Sequence, residues 1–164
     1  MEGPLVREIR LTVNGEVRVF EADETASLLD VLRNQFGLMG AKFGCGAGQC
    51  GACAVLIEGE VVASCGAEVG WLEGRSIVTV EGIGTPEHPH PLQTAFLDKQ
   101  AGQCGYCLSG ILVSAKALLD RNPSPDREEI AEALAGNLCR CGVHNRIIEA
   151  VGLAAQRMRA EAAA

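Results

Sequence analysis

Aromatic residues are scarce in this chain. One Trp, one Tyr and four Phe make 4% of 164 residues, while 48% of the chain is hydrophobic. Large aromatic cores are thereby excluded, and small aliphatic ones built on Ala, Val, Leu and Ile are implied. Positive charge is also short: 14 Lys and Arg stand against 21 Asp and Glu, a formal net charge of −7. That balance argues against nucleic acid as the main partner, because phosphate binding is driven by clustered cations. No apolar run reaches the roughly 20 residues that a membrane-spanning helix needs. The opening Met1-Glu2-Gly3-Pro4 is not a signal peptide. The chain is therefore expected in the cytoplasm, with export bound to a signal-bearing partner left open. It holds no nucleotide fingerprint and no flavin motif.

Cysteine is what the chain does have, and none is left over. Eight fall into two sets of four. Cys45, Cys50, Cys53 and Cys65 read C-x4-C-x2-C-x11-C. Cys104 and Cys107 form C-x2-C, and after 31 residues Cys139 and Cys141 form C-x-C. Four thiolates are what one iron–sulfur cluster requires, and the first three spacings match the plant-type [2Fe–2S] pattern. A disulfide scaffold is the plainer alternative, but the cysteine content is low for one and no signal peptide is seen. Zinc takes two short cysteine pairs; the second set has that form and the first does not. A Rieske-type centre needs two histidines in place of two cysteines, and the three histidines are not interleaved that way. Two all-cysteine [2Fe–2S] sites account for both spacings. With their thiolates they would take the net charge to about −11, which suits an anionic carrier docked on a complementary protein.

The pattern of the rest divides the chain into residues 1–82, a linker over 83–91, and residues 92–164. Halves of about 75–80 residues have marginal cores, which a buried cluster would staple. Ile9, Leu11 and Val13, then Asn14-Gly15, then Val17 and Val19 predict a hairpin with a type I′ turn. Thr25 is the expected cap of a helix carrying Leu28, Leu29, Leu32 and Phe36, with Gly37 as its stop. Glu58-Gly59 joins a second hairpin, and Ile77 to Val80 reads as a further strand. Gly82 to Pro91 is loop chemistry, with His88 and His90 read as solvated rather than as a metal pair. Beyond Pro91 the period becomes helical, and four segments ending near Gly102, near Arg121, past Leu134 and past Ala155 predict a four-helix bundle. The fold class is α+β.

Over residues 5–82 the sheet, the helix and the motif Cys45-Gly46-Ala47-Gly48-Gln49-Cys50-Gly51-Ala52-Cys53 resemble the β-grasp fold of plant-type ferredoxins. The second half adds Gln103-Cys104-Gly105-Tyr106-Cys107 and Gly136-Asn137-Leu138-Cys139-Arg140-Cys141. With these, residues 5 to about 155 resemble the small iron–sulfur subunit of the xanthine oxidase family, the molybdenum hydroxylases. Ala47, Gln49, Leu108-Ser109-Gly110 and Gly142-Val143-His144 depart from the commonest family pattern. They are similar to the branch containing isoquinoline oxidoreductase and nicotinate dehydrogenase.

The resemblance implies an electron-transfer subunit of a larger oxidoreductase. A large partner subunit would bind molybdenum in a pterin cofactor and oxidise an N-heteroaromatic or an aldehyde. Electrons would pass singly through the Cys104 set and then the Cys45 set to an FAD subunit, a haem-bearing cytochrome or another carrier. By motif position Gln103 and Cys141 would contact the partner's pterin, and this chain would hold no substrate site and no catalytic residue. A free two-cluster electron shuttle is the alternative.

Overall fold

The computed structural model describes residues 6–163. The opening Met1-Glu2-Gly3-Pro4 and the final Ala164 lie outside them, as do the outer limits of the expected division into 1–82 and 92–164. A hairpin starts the fold, with β1 over Val6–Val13 and β2 over Glu16–Asp23. Asn14 and Gly15 hold φ of 52° and 83°, the left-handed pair that a type I′ turn requires. Ile9, Leu11 and Val13 point into the core. Val17 and Val19 share a face as expected, but that face is exposed, because they sit opposite Thr12 and Arg10.

The first helix, α1, runs over Leu28–Asp30 and widens into a π turn over Val31–Gln35. Its cap is Ser27, whose side chain accepts from the Asp30 amide. Thr25, the expected cap, bonds back to Asp23 Oδ1 through both its amide and its hydroxyl, 2.9 and 2.8 Å. That local turn delays the helix by two residues. Gly37 ends it with φ of +70°. Then come β3 over Ala54–Ile57, β4 over Glu60–Ala63 and β5 over Ser76–Val78. The last is shorter than expected. Buried Thr79 turns away, its amide donating to Asn14 Oδ1 and its hydroxyl to Glu81.

The sheet order is β2-β1-β5-β3-β4, with β1 and β5 parallel and the other pairs antiparallel. This is a mixed β-grasp sheet closed by α1. In β3 every residue is apolar because both faces are covered. Val55 faces the α1 core, while Ala54 and Leu56 meet Val113 and Ala117 from the second half.

Four helices form that half: α2 over Pro91–Asp98, α3 over Leu108–Arg121, α4 over Arg127–Ala133 and α5 over His144–Ala162. Leu92, Ile111, Ile147 and Val151 are among the side chains that fill their common core. Asp126 caps α4 in a reciprocal box with Glu129. The stop of α2 is Gln100, with φ of +48°, rather than Gly102. Among the described residues no helix is long and apolar enough to cross a membrane.

His90 is a structural cap rather than a solvated linker residue. Its Nδ1 accepts from the Leu92 amide at 3.1 Å, and its own amide donates to Gln93. Burial, then the Lys116 charge, lower its pKa from 6.5. Because the folded state favours the neutral ring, the cap contributes fully above about pH 6.5. It is lost as pH falls through the lower folded value. His90→Asn keeps an acceptor that does not titrate. It is expected to remove a step of about 1 kcal/mol from the stability–pH curve below pH 6.5, read by urea unfolding at a series of pH values.

Candidate metal centres

Cys45, Cys50 and Cys53 lie on the loop between α1 and β3, and Cys65 follows β4. The C-x11-C spacing is hairpin arithmetic. β3 and β4 pair Ile57 with Glu60 out to Ala54 with Ala63, so the residues just beyond the ladder meet. Ser64 locks that end. Its amide and hydroxyl both donate to the Cys53 carbonyl, at 3.3 and 2.7 Å, and its own carbonyl accepts from the Leu29 amide.

The loop before the hairpin curls through Gly46 and Gly48, at φ of +68° and +70°, so that its amides turn inward. Ala47 and Gln49 donate to Cys45 Sγ at 3.4 and 3.2 Å, and Cys45 donates its amide to Cys50 Sγ at 3.3 Å. Backbone donation from Ala47 first, then Gln49, brings the Cys45 pKa down to about 6. Its sulfur is thus mostly thiolate at neutral pH, the form that binds metal. Cys53 is buried, and burial first, with Cys65 beside it, raises its pKa.

The second set comes from two loops of the bundle. Cys104 and Cys107 lie between α2 and α3, where Cys107 is the residue before the first turn of α3. Cys139 and Cys141 lie between α4 and α5. Burial first, then Cys139, pushes Cys107 up to about 12. Burial opposes ionisation of Cys139 too, but the Cys107 thiol and the amides of Val143, Cys141 and Gly142 outweigh it and lower its pKa. The amide of Tyr106, then Cys141, lower Cys104.

In both sets the sulfurs stand in twos: Cys45 with Cys50, Cys53 with Cys65, Cys104 with Cys141 at 3.5 Å, and Cys107 with Cys139. Two thiolates per iron is the demand of a binuclear cluster, whereas structural zinc takes four about one centre. The donor set fits [2Fe–2S].

The two sets open on one cleft of about 190 Å³, lined by Cys45, Cys50, Cys104, Cys107, Cys141 and Arg140. Three hydrogen bonds cross between their loops. The Leu138 amide donates to the Cys50 carbonyl at 3.0 Å, Asn137 Nδ2 to the Gly51 carbonyl at 3.4 Å, and the Tyr106 hydroxyl to the Phe43 carbonyl. Gln103 stands by the same cleft, its Nε2 3.5 Å from the Cys141 carbonyl that it donates to. Phe43 itself is 61% exposed. His144 is exposed as the first residue of α5, which has no side-chain cap. Asn137 and Tyr106 are legible in the sequence only as members of the second motif; nothing in their spacing indicates that they reach the first.

A β-grasp sheet and a helical bundle, each carrying four cysteines and meeting at a cleft lined by Cys45, Cys50, Cys104, Cys107 and Cys141, define a two-centre iron–sulfur electron-transfer protein. Family models agree: residues 11–76 match the 2Fe-2S iron-sulfur cluster binding domain and residues 79–152 the [2Fe-2S] binding domain. The nicotinate dehydrogenase small FeS subunit of Eubacterium barkeri is 45% identical over 149 residues, 91% of this chain and 95% of that one. The alpha chain of isoquinoline 1-oxidoreductase from Brevundimonas diminuta is 48% identical over 90% of this chain and 97% of its own length. The solved quinoline 2-oxidoreductase of Pseudomonas putida superposes with a TM-score of 0.89 at 41% identity, covering 94% of this chain and 96% of that one. The aldehyde oxidoreductase of Desulfovibrio desulfuricans gives 0.91 at 43% identity over 94% of this chain, which spans only 17% of that longer chain.

The chain belongs to the small [2Fe–2S] subunits of the xanthine oxidase, or molybdenum hydroxylase, family. It is the electron-transfer subunit of a multi-subunit oxidoreductase.

Proposed function

We propose that this chain carries electrons singly from a large molybdenum- and pterin-bearing catalytic subunit, which oxidises an N-heteroaromatic ring or an aldehyde, to an FAD subunit, a cytochrome or another carrier. A [2Fe–2S] group at each site supplies storage for one electron. Cys45, Cys50, Cys53 and Cys65 hold one group, and Cys104, Cys107, Cys139 and Cys141 hold the other. The amides of Ala47 and Gln49 stabilise negative charge on the first set. Gln103 and Cys141 contact the partner's pterin. The working division is residues 1–82, a linker at 83–91 and residues 92–164, and the place of work is the cytoplasm. The observation that carries the reading is the shared cleft, where Cys45 and Cys50 of one set meet Cys104, Cys107 and Cys141 of the other and Gln103 donates to the Cys141 carbonyl.

Purification of the native complex tests it. Molybdenum should copurify, and low-temperature EPR of the reduced complex should show two distinct [2Fe–2S] signals. The one from the Cys104 set should couple magnetically to Mo(V). An active, stable preparation free of molybdenum overturns the reading. Within that complex, Gln103→Ala is expected to slow turnover about tenfold while both signals keep full intensity; unchanged turnover removes Gln103 from the electron entry point.

A further inference from the structure

We propose that Tyr106 is a positioning residue that sets the geometry between the two metal centres, through the hydrogen bond its hydroxyl donates to the Phe43 carbonyl. The proposal rests on the reading that each set of cysteines holds a [2Fe–2S] group. Tyr106 is the one tyrosine of the chain and stands between Cys104 and Cys107. It is 49% exposed and lines the shared cleft. Phe43 precedes Cys45 by two residues, so the bond joins the first ligand loop of one half to the first ligand loop of the other.

Both ends of this strut are anchored. The Phe43 ring lies against Gly46, where a Cβ would come within 2.9 Å of Cζ. Movement of the Phe43 carbonyl therefore moves the loop that donates to Cys45 Sγ. On the other side Gly105 turns at φ of +80°, and the Leu108 amide closes the turn on the Gly105 carbonyl at 3.2 Å. Tyr106 thus projects from a tight turn with a ligand on each flank.

The remaining two cross-loop bonds, from Leu138 and Asn137, restrain the Cys139–Cys141 loop instead. Among the described residues, the Tyr106 hydroxyl is the side-chain group that restrains the 104–107 loop against the 43–53 loop. Phenylalanine would fill the same space and leave the Phe43 carbonyl to water. Because the cleft is half open, that loss loosens the spacing without emptying a core. Electron exchange falls exponentially with distance, so a looser spacing affects transfer more than it affects folding.

The test compares the intact reduced complex with its Tyr106→Phe variant by low-temperature EPR and amide hydrogen exchange. Both [2Fe–2S] signals should keep their integrated intensity, while the magnetic splitting between them weakens or spreads. Exchange at the Ala47 and Gln49 amides should rise about fivefold, the factor by which one hydrogen bond shifts a local opening. Unchanged splitting overturns the proposal. So does loss of the Cys104-set signal alone with native exchange at Ala47 and Gln49, because Tyr106 then serves only its own loop. If the variant loads no iron, exchange in the native complex decides. A common opening rate for residues 43–49 and 105–107 supports the strut, and separate rates overturn it. Absence of two signals from the native complex defeats the underlying cluster reading, and the proposal with it, before any variant is made.

Discussion

Gly110→Ala is expected to break the join between the two halves. An added Cβ would lie 1.9 Å from the Gly51 carbonyl oxygen and 3.4 Å from the Ala52 Cα. Both are backbone atoms of the loop between Cys50 and Cys53, so no rotamer change relieves the clash. Helix α3 must lift off the loop and take Val113 and Ala117 away from Ala54, Leu56 and Ile83. Overpacking of this kind costs about 3 kcal/mol, which lowers the melting temperature of a chain this size by ~10 °C. The exposed Arg121–Glu60 ion pair across the same join contributes little to offset it. Gly152→Ala is the matched control, since its Cβ meets nothing within 4 Å inside α5. That change should raise stability by about 0.5–1 kcal/mol. If Gly110→Ala melts with the native protein and keeps its iron, the packed join is not the structure in solution.

The second large effect is Cys141→Ser. Cys141 pairs with Cys104 at the cleft rim, while Cys107 and Cys139 pair more deeply. A serine hydroxyl does not ionise near neutrality and is a poor ligand for iron. Iron content is expected to fall from about four to about two per chain, with loss of the Cys104-set EPR signal and, on the proposed function, of electron exit from molybdenum. The Cys45-set signal should persist, because its ligands are held by the β3–β4 ladder and by the loop amides of Ala47 and Gln49. Disappearance of both signals together would falsify independent loading of the two sites. It would mean that the Leu138–Cys50 bond and its neighbours make them one folding unit.

Much of the fold is legible locally. Asn14-Gly15, Gly37, Pro91 and the Asp126-x-x-Glu129 box each act within a few residues, and each stands where its chemistry demands. The departures have equally local causes. Thr25 loses the cap to Ser27 because Asp23 offers it a competing turn. Gly102 loses the helix stop to Gln100, which tolerates a left-handed backbone there. His90 has the sequence setting of a solvated linker residue, but as a cap it is half-buried, since its ring acceptor reaches the Leu92 amide. Gly110 packs directly on Gly51, and no pattern within either half announces that contact.

By itself the sequence determined the number of cysteines, their grouping into two sets, the hairpins and the helices that carry them. These depend on turn chemistry and periodicity, which act over short stretches. The C-x11-C spacing was likewise already a statement about the length of the β3–β4 hairpin. Only the tertiary structure decided which sulfurs pair, that both sets open on one cleft, and that Leu138, Asn137 and Tyr106 fasten one loop to the other. Tyr106 meets Phe43 across 63 residues and Asn137 meets Gly51 across 86. Such contacts form only after two separate cores have packed, when close approach at a glycine brings backbone to backbone.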